Sequence, residues 1–241
     1  MRKFIVLLCV FFLASYFGAF DVLAQDAEAS STGFQTLKEK FIEGNWMFMS
    51  TVLVCLILGL AFCIERIITL NIATANTDKL LSRIDERLAD GDLLGAQEVA
   101  KSTPGPAASV IYEGLRNAKG GPEAVEKAIV SYGSVQMGLL EKGLVWISLF
   151  IAIAPMLGFM GTVIGMIGAF DKIEAVGDIS PSIVAGGIKV ALLTTVFGLI
   201  VAIILQILYN YIVSKIDGIV NKMEDSSIGL LDIMARNNVF K

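Results

Sequence analysis

The 241-residue sequence has no histidine, five prolines and three cysteines, and only 17% of it is charged. Without histidine there is no imidazole to act as a base near neutral pH, to ligate a transition metal or to relay protons. The cysteines offer no disulfide framework. Cys9 lies in a leader-like run, and Cys55 and Cys63 are about 12 Å apart along one helix, too far to bridge within one chain. The formal charge is -4, and no basic cluster interleaves with aromatics, so nucleic acid is not an expected partner. Nor is there a phosphate-binding loop or metal-ligand cluster, so neither an enzyme nor a cofactor is expected.

What the chain has instead is apolar length. Hydrophobic residues make up 55% of it, and the charges gather in two blocks, Asp78–Lys142 and Lys215–Lys241. The runs Trp46–Leu70, Leu144–Phe170 and Ile183–Val213 each reach the roughly 20 residues that cross a bilayer. Residues 1–24 have a basic start at Arg2 and Lys3, an apolar stretch and small residues at Ala19 and Ala24. This is the pattern of a signal peptide cut after Ala24, or of an uncleaved anchor helix. The segment 71–143 is rich in lysine and arginine, whereas the short loop 171–182 holds only Lys172. By the positive-inside rule the long segment and the tail 214–241 face the cytoplasm, and residues 25–45 and the short loop lie outside. Trp46, Tyr209 and Tyr211 fall near the expected interfaces.

The charged segments read as helical. Leu80, Leu81, Ile84 and Leu88 recur at helical spacing, and Asp90-Gly91 breaks that helix before another over Leu93–Lys101. A third short helix is expected over Ile111–Ala118. Pro122 suits the first position of a helix. No strong stop follows it before Phe170, which predicts one helix of about 49 residues and 70 Å. The third span continues past Tyr211 on a stripe of Ile216, Ile219, Val220, Met223 and Ile228. The expected class is an all-α membrane protein, with three transmembrane helices and long cytoplasmic helical extensions.

The second span, APMLGFMGTVIGMIGAF, carries glycine or proline at nearly every turn. Glycine costs about 1 kcal/mol against alanine in a soluble helix and proline about 3. In lipid, where no water competes for backbone hydrogen bonds, such a segment stays helical, and its small residues let backbones approach closely. Pro155, Gly158, Gly161 and Gly165 on span two and Gly198 on span three are the expected packing positions. They serve either packing within one subunit or contact between copies.

Together, IAPMLGFMGTVIGMIGAF and IVAGGIKVALLTTVFGLIVAIILQILYNYIVSKI resemble the two signature spans of the ExbB/TolQ/MotA proton-channel family, and ExbB most among its members. The likeness covers most of the chain from Trp46 onward, including the order of spans and segments. It implies a proton-driven stator of the bacterial inner membrane. Such a stator is a homopentamer around an ExbD-like single-span partner with a titrating membrane aspartate, coupled to a TonB-like energy transducer. The alternatives are a TolQ-like role in outer-membrane integrity and a non-conducting scaffold. Spans two and three contain no carboxylate, which fits a titrating group on another chain. The resemblance points to Thr162 and Thr195 as hydroxyls facing that aspartate; on the residues alone, a back-bond to their own helix is the favoured reading.

Where the family often carries a glutamate just before the ALL motif, this sequence has Val190, preceded by Lys189. A lysine within a span either lines the pore or extends its amine to the outer interface near Asp171 or Asp178. Glu65 and Arg66 end the first span. Neighbours on a helix point in different directions, so no ion pair is expected between them. Arg66 reads as an orientation anchor and Glu65 as a contact for another subunit.

Overall fold

The computed structural model describes residues 46–74, 76–177 and 181–240. The leader, its cut after Ala24, the segment 25–45 and the Trp46 side chain lie outside the described residues. Those that are described form seven α-helices and one short 3-10 turn: α1 (Trp46–Ala73), α2 (Thr77–Ala89), α3 (Leu93–Ser102), α4 (Pro106–Arg116), α5 (Pro122–Glu141), α6 (Leu144–Val176) and α7 (Pro181–Arg236). Among the described residues, three helical stretches, centred on α1, α6 and α7, are long and apolar enough to cross a membrane. The chain is an all-α, multi-pass membrane protein.

Local chemistry sets the ends of the short helices. The Asn76 side chain accepts from the Lys79 amide at 3.2 Å and starts α2; the Asp92 carboxylate accepts from the Gly95 amide at 2.8 Å and starts α3. Pro106 and Pro122 open α4 and α5, where a missing N–H costs nothing. Gly121 precedes Pro122 at φ 84°, a conformation open to glycine without a steric penalty.

The helix expected from Pro122 to Phe170 is broken. Lys142 is extended and Gly143 takes φ 90°, ψ -13°, which ends α5 and re-aims the chain into α6. An isolated glycine in an apolar pattern gives no sign of whether it stays helical, so the break was hidden in the sequence. At its other end α6 continues beyond Phe170 to Val176, and Gly177 stops it at φ 72°. Much of the expected loop 171–182 is therefore helical.

Two apolar cores result. In the charged half, Leu80, Ile84, Ile111, Leu115, Val125 and Leu230 are buried together where α2, α4 and α5 meet the end of α7. In the spans, Val52, Cys63, Leu70, Ile147, Leu205 and Ile212 join α1, α6 and α7. Helix α7 belongs to both cores. Its 56 residues extend about 84 Å without interruption, a single rod from span to tail.

Candidate functional site

The seam between α6 and α7 is set by side chains that are missing. A Cβ on Gly158 would lie 2.9 Å from the Thr194 carbonyl oxygen, and one on Gly198 would lie 2.6 Å from the Ala154 carbonyl oxygen. At Gly161 the neighbour is the Thr194 hydroxyl, at 2.7 Å, and at Gly165 it is the Ala191 backbone, at 3.3 Å. All four glycines thus face the same chain's neighbouring helix. Pro155 lies inside α6, where it removes one backbone bond of the ladder. Gly168 has nothing within 4 Å of a Cβ, so the strip is not uniformly in contact.

This close approach brings the hydroxyls to the seam. Thr195 donates across it to the Gly158 carbonyl at 3.2 Å, whereas Thr162 donates to Phe159 of its own helix at 2.5 Å. Both threonines are partly exposed beside the seam. Thr194, which sequence reasoning passed over in favour of its neighbour, is the buried member of the pair and donates to Ala191 at 2.8 Å. In this geometry Thr162 and Thr195 have committed their single hydrogens to carbonyl oxygens, and each oxygen keeps the capacity to accept.

Lys189 is exposed near the start of α7 and borders a shallow apolar cleft with Ala185, Ile188, Leu192 and Val196. Asp171 is exposed on the last turns of α6, and Asp178 lies outside the described residues.

Toward the charged end, Arg66 is 8% exposed and its Nε lies 3.0 Å from where a Gly143 Cβ would be. The break between α5 and α6 leaves room for this guanidinium. Contrary to expectation, Glu65 and Arg66 approach to 3.3 Å. Their side chains are long enough to curl together despite diverging Cβ directions. The approach lacks hydrogen-bond alignment, and the buried Arg66 Nε has no hydrogen-bond partner among the described residues. Phe62 stacks on Trp146 at 6.3 Å and on Phe150 at 6.2 Å, tying α1 to α6 just above this point.

In the tail, Arg236 pairs with Asp85 at 2.5 Å, and the Asn237 amide donates to the same carboxylate at 2.9 Å. These two donors hold the Asp85 carboxyl below its ordinary pKa.

The seam thus combines four closely packed glycines with two threonine hydroxyls, and no carboxylate lies within Leu144–Phe170 or Ile183–Val213. Residues 102–225 match the MotA/TolQ/ExbB proton channel family. The chain belongs to that family. It is 34% identical over 194 residues to the biopolymer transport protein ExbB homolog of Methanothermobacter thermautotrophicus, covering 79% of this chain and 68% of the relative. It is 32% identical over 113 residues to the biopolymer transport protein ExbB of Xanthomonas campestris pv. campestris, covering 47% of this chain and 45% of that one. An ExbB-like protein of Synechocystis sp. is 27% identical over 182 residues, 74% of this chain and 71% of its own. The matched span of the family, 102–225, begins at the end of α3 and takes in the whole α6–α7 seam.

Proposed function

We propose that this protein is a non-enzymatic proton-channel stator subunit of a bacterial inner membrane, with its charged half in the cytoplasm. It converts proton-motive force into movement of an ExbD-like single-span partner and, through a TonB-like transducer, energises import across the outer membrane. The observation that carries the reading is the family match over the α6–α7 seam, whose spans carry two partly exposed threonines and no carboxylate.

In the mechanism, the titrating carboxylate comes from the partner and this chain supplies the wall. Thr162 and Thr195 offer lone pairs, which suit the O–H of a protonated acid. To serve an ionised carboxylate, Thr195 turns its hydrogen away from the Gly158 carbonyl, a bond already long at 3.2 Å. The wall thereby favours passage of the neutralised group. Each charge crossing 100 mV supplies about 2.3 kcal/mol, enough for a few protons to move a partner between near-equivalent positions. The uninterrupted α7 rod carries any tilt of the span into the tail core.

The subunit is proposed to work as a homo-oligomer, a pentamer by family likeness. The glycines of the seam do not argue for this, because they are in use within one chain. Native mass measurement in mild detergent tests it: a ring of five with a substoichiometric single-span partner is expected, and a stable monomer would refute it.

A further inference from the structure

One polar feature within the spans plays no part in the hydroxyl site. On α7, the Gln206 side-chain amide donates to the Asn210 carbonyl oxygen at 3.0 Å, and both residues are exposed. They sit in the uncharged stretch between Lys189 and Lys215, about 25 Å along the helix from the first. The pair closes one hydrogen bond and leaves the Gln206 carbonyl and the Asn210 amide hydrogens outside it, on two exposed side chains. Carboxamides in that position are costly against lipid, so their face meets water or another polar surface.

Their place on the helix selects between these. Gln206 is about three turns below Thr195, and Asn210 about four, so both stand on the flank of α7 that carries the Thr195 hydroxyl. The same flank reaches exposed Asp217 about two turns further on, in the charged half. Between Thr195 and Gln206 the flank is apolar, with Leu199, Ala202 and Ile203, so the polar stretch runs from Gln206 through Asn210 to Asp217 at the charged end, beside the buried face formed by Gly198, Val201, Leu205 and Ile212.

We propose that Gln206 and Asn210 line a hydrated inner leg of the proton path, holding water between the Gln206 carbonyl and the Asn210 amide. Neither group titrates. Each donates and accepts hydrogen bonds while excess protons move through the water toward Asp217. The inference rests on the channel reading for its purpose, but the hydration of this face does not.

The test therefore has two separate readouts, both in native membranes. In a background with Cys9, Cys55 and Cys63 replaced by alanine, Gln206→Cys is treated with a membrane-impermeant thiol reagent. Ile204→Cys, an exposed apolar position about 200° round the helix from it, is the control. The expected result is at least tenfold faster labelling at 206 than at 204. Equal, slow labelling at both positions overturns the proposal, because the face is then dry. The second readout is proton flux of Gln206→Leu in membrane vesicles, with assembly followed by native gel. A tenfold or greater loss with intact assembly supports the proposal. Full flux overturns it, as does dissociation of the assembly, which would make the pair a contact between copies. If the unsubstituted protein passes no protons while 206 labels rapidly, the channel reading fails and the hydrated face stands.

Discussion

Thr195 donates its hydroxyl hydrogen to the backbone carbonyl of Gly158 at 3.2 Å, an interhelical bond made possible because Gly158 has no side chain in the way. The hydroxyl proposed to meet the partner is thus held by the residue that lets the helices close. Thr195→Val keeps the volume and removes this bond. The expected stability loss is below about 2 kcal/mol, since membrane interhelical hydrogen bonds are worth roughly 0.6–2. Assembly should survive while energised uptake falls tenfold or more, with Thr162→Val additive or worse. Uptake assays on the two single variants and the double decide it; full activity in the double variant would make both residues packing groups.

Gly198 and Gly168 form a contrasting pair. A Cβ at Gly198 meets the Ala154 carbonyl at 2.6 Å, and backbone cannot step aside as a flexible side chain can. Gly198→Ala should therefore cost about 1–3 kcal/mol despite alanine's better helix propensity. Gly168→Ala, with open space around it, should lie within about 0.5 kcal/mol of the parent. Thermal unfolding in detergent compares them, and equal effects would mean the seam is looser than described.

This contrast also marks what the sequence could and could not convey. The spans, the interruption at Asp90–Gly91 and the long tail helix were legible because hydrophobic periodicity and turn residues declare them. The glycine pattern identified residues that allow close approach, but not which helix approaches. That depends on the pairing of α6 with α7, which spacing does not encode. Gly143 looked like any other small residue in an apolar run. Its left-handed turn sets it beside the Arg66 guanidinium, some 77 positions away in sequence, a proximity that spacing does not encode. Thr194 and Thr195 are adjacent and chemically identical, and only the register of the seam makes one buried and the other partly exposed. The Gln206–Asn210 pair, an amide couple one turn apart, was passed over in the sequence although its spacing allows the bond.

The tail should respond to acid through Asp85. Its carboxyl is held low by hydrogen bonds from Arg236 and then Asn237. A carboxyl with a depressed folded pKa contributes stability above its ordinary value of 3.8, and that contribution fades as pH falls through the lower folded value. Asp85→Asn should speed amide exchange at the end of α7 at pH 7. The difference from the parent should shrink once the pH drops below 3.8 and vanish only below the lower folded pKa. A difference that persists unchanged in acid would assign the effect to packing.

Lys189 is expected to act by charge near the outer mouth, since it is exposed close to the start of α7 and its stem lies along an apolar cleft. Lys189→Arg should be tolerated, and Lys189→Met should assemble with at most about a threefold loss of uptake and an unchanged pH profile. If the amine instead faces the partner's carboxylate in the dry centre, it depresses that group's pKa. Lys189→Met would then be assembled but inactive, with a shifted profile. Uptake measured against external pH separates the two.

The central claim is that this chain forms the wall of a proton path whose titrating group lies on a partner. Proton uptake into liposomes under an imposed potential tests it most directly, comparing the protein alone, the co-purified complex with its single-span partner, and that complex carrying Thr162→Val and Thr195→Val. The account requires flux in the complex, little in the protein alone, and at least a tenfold reduction in the double variant. Equal flux with and without the partner would contradict it, as would a well-assembled complex that passes no protons.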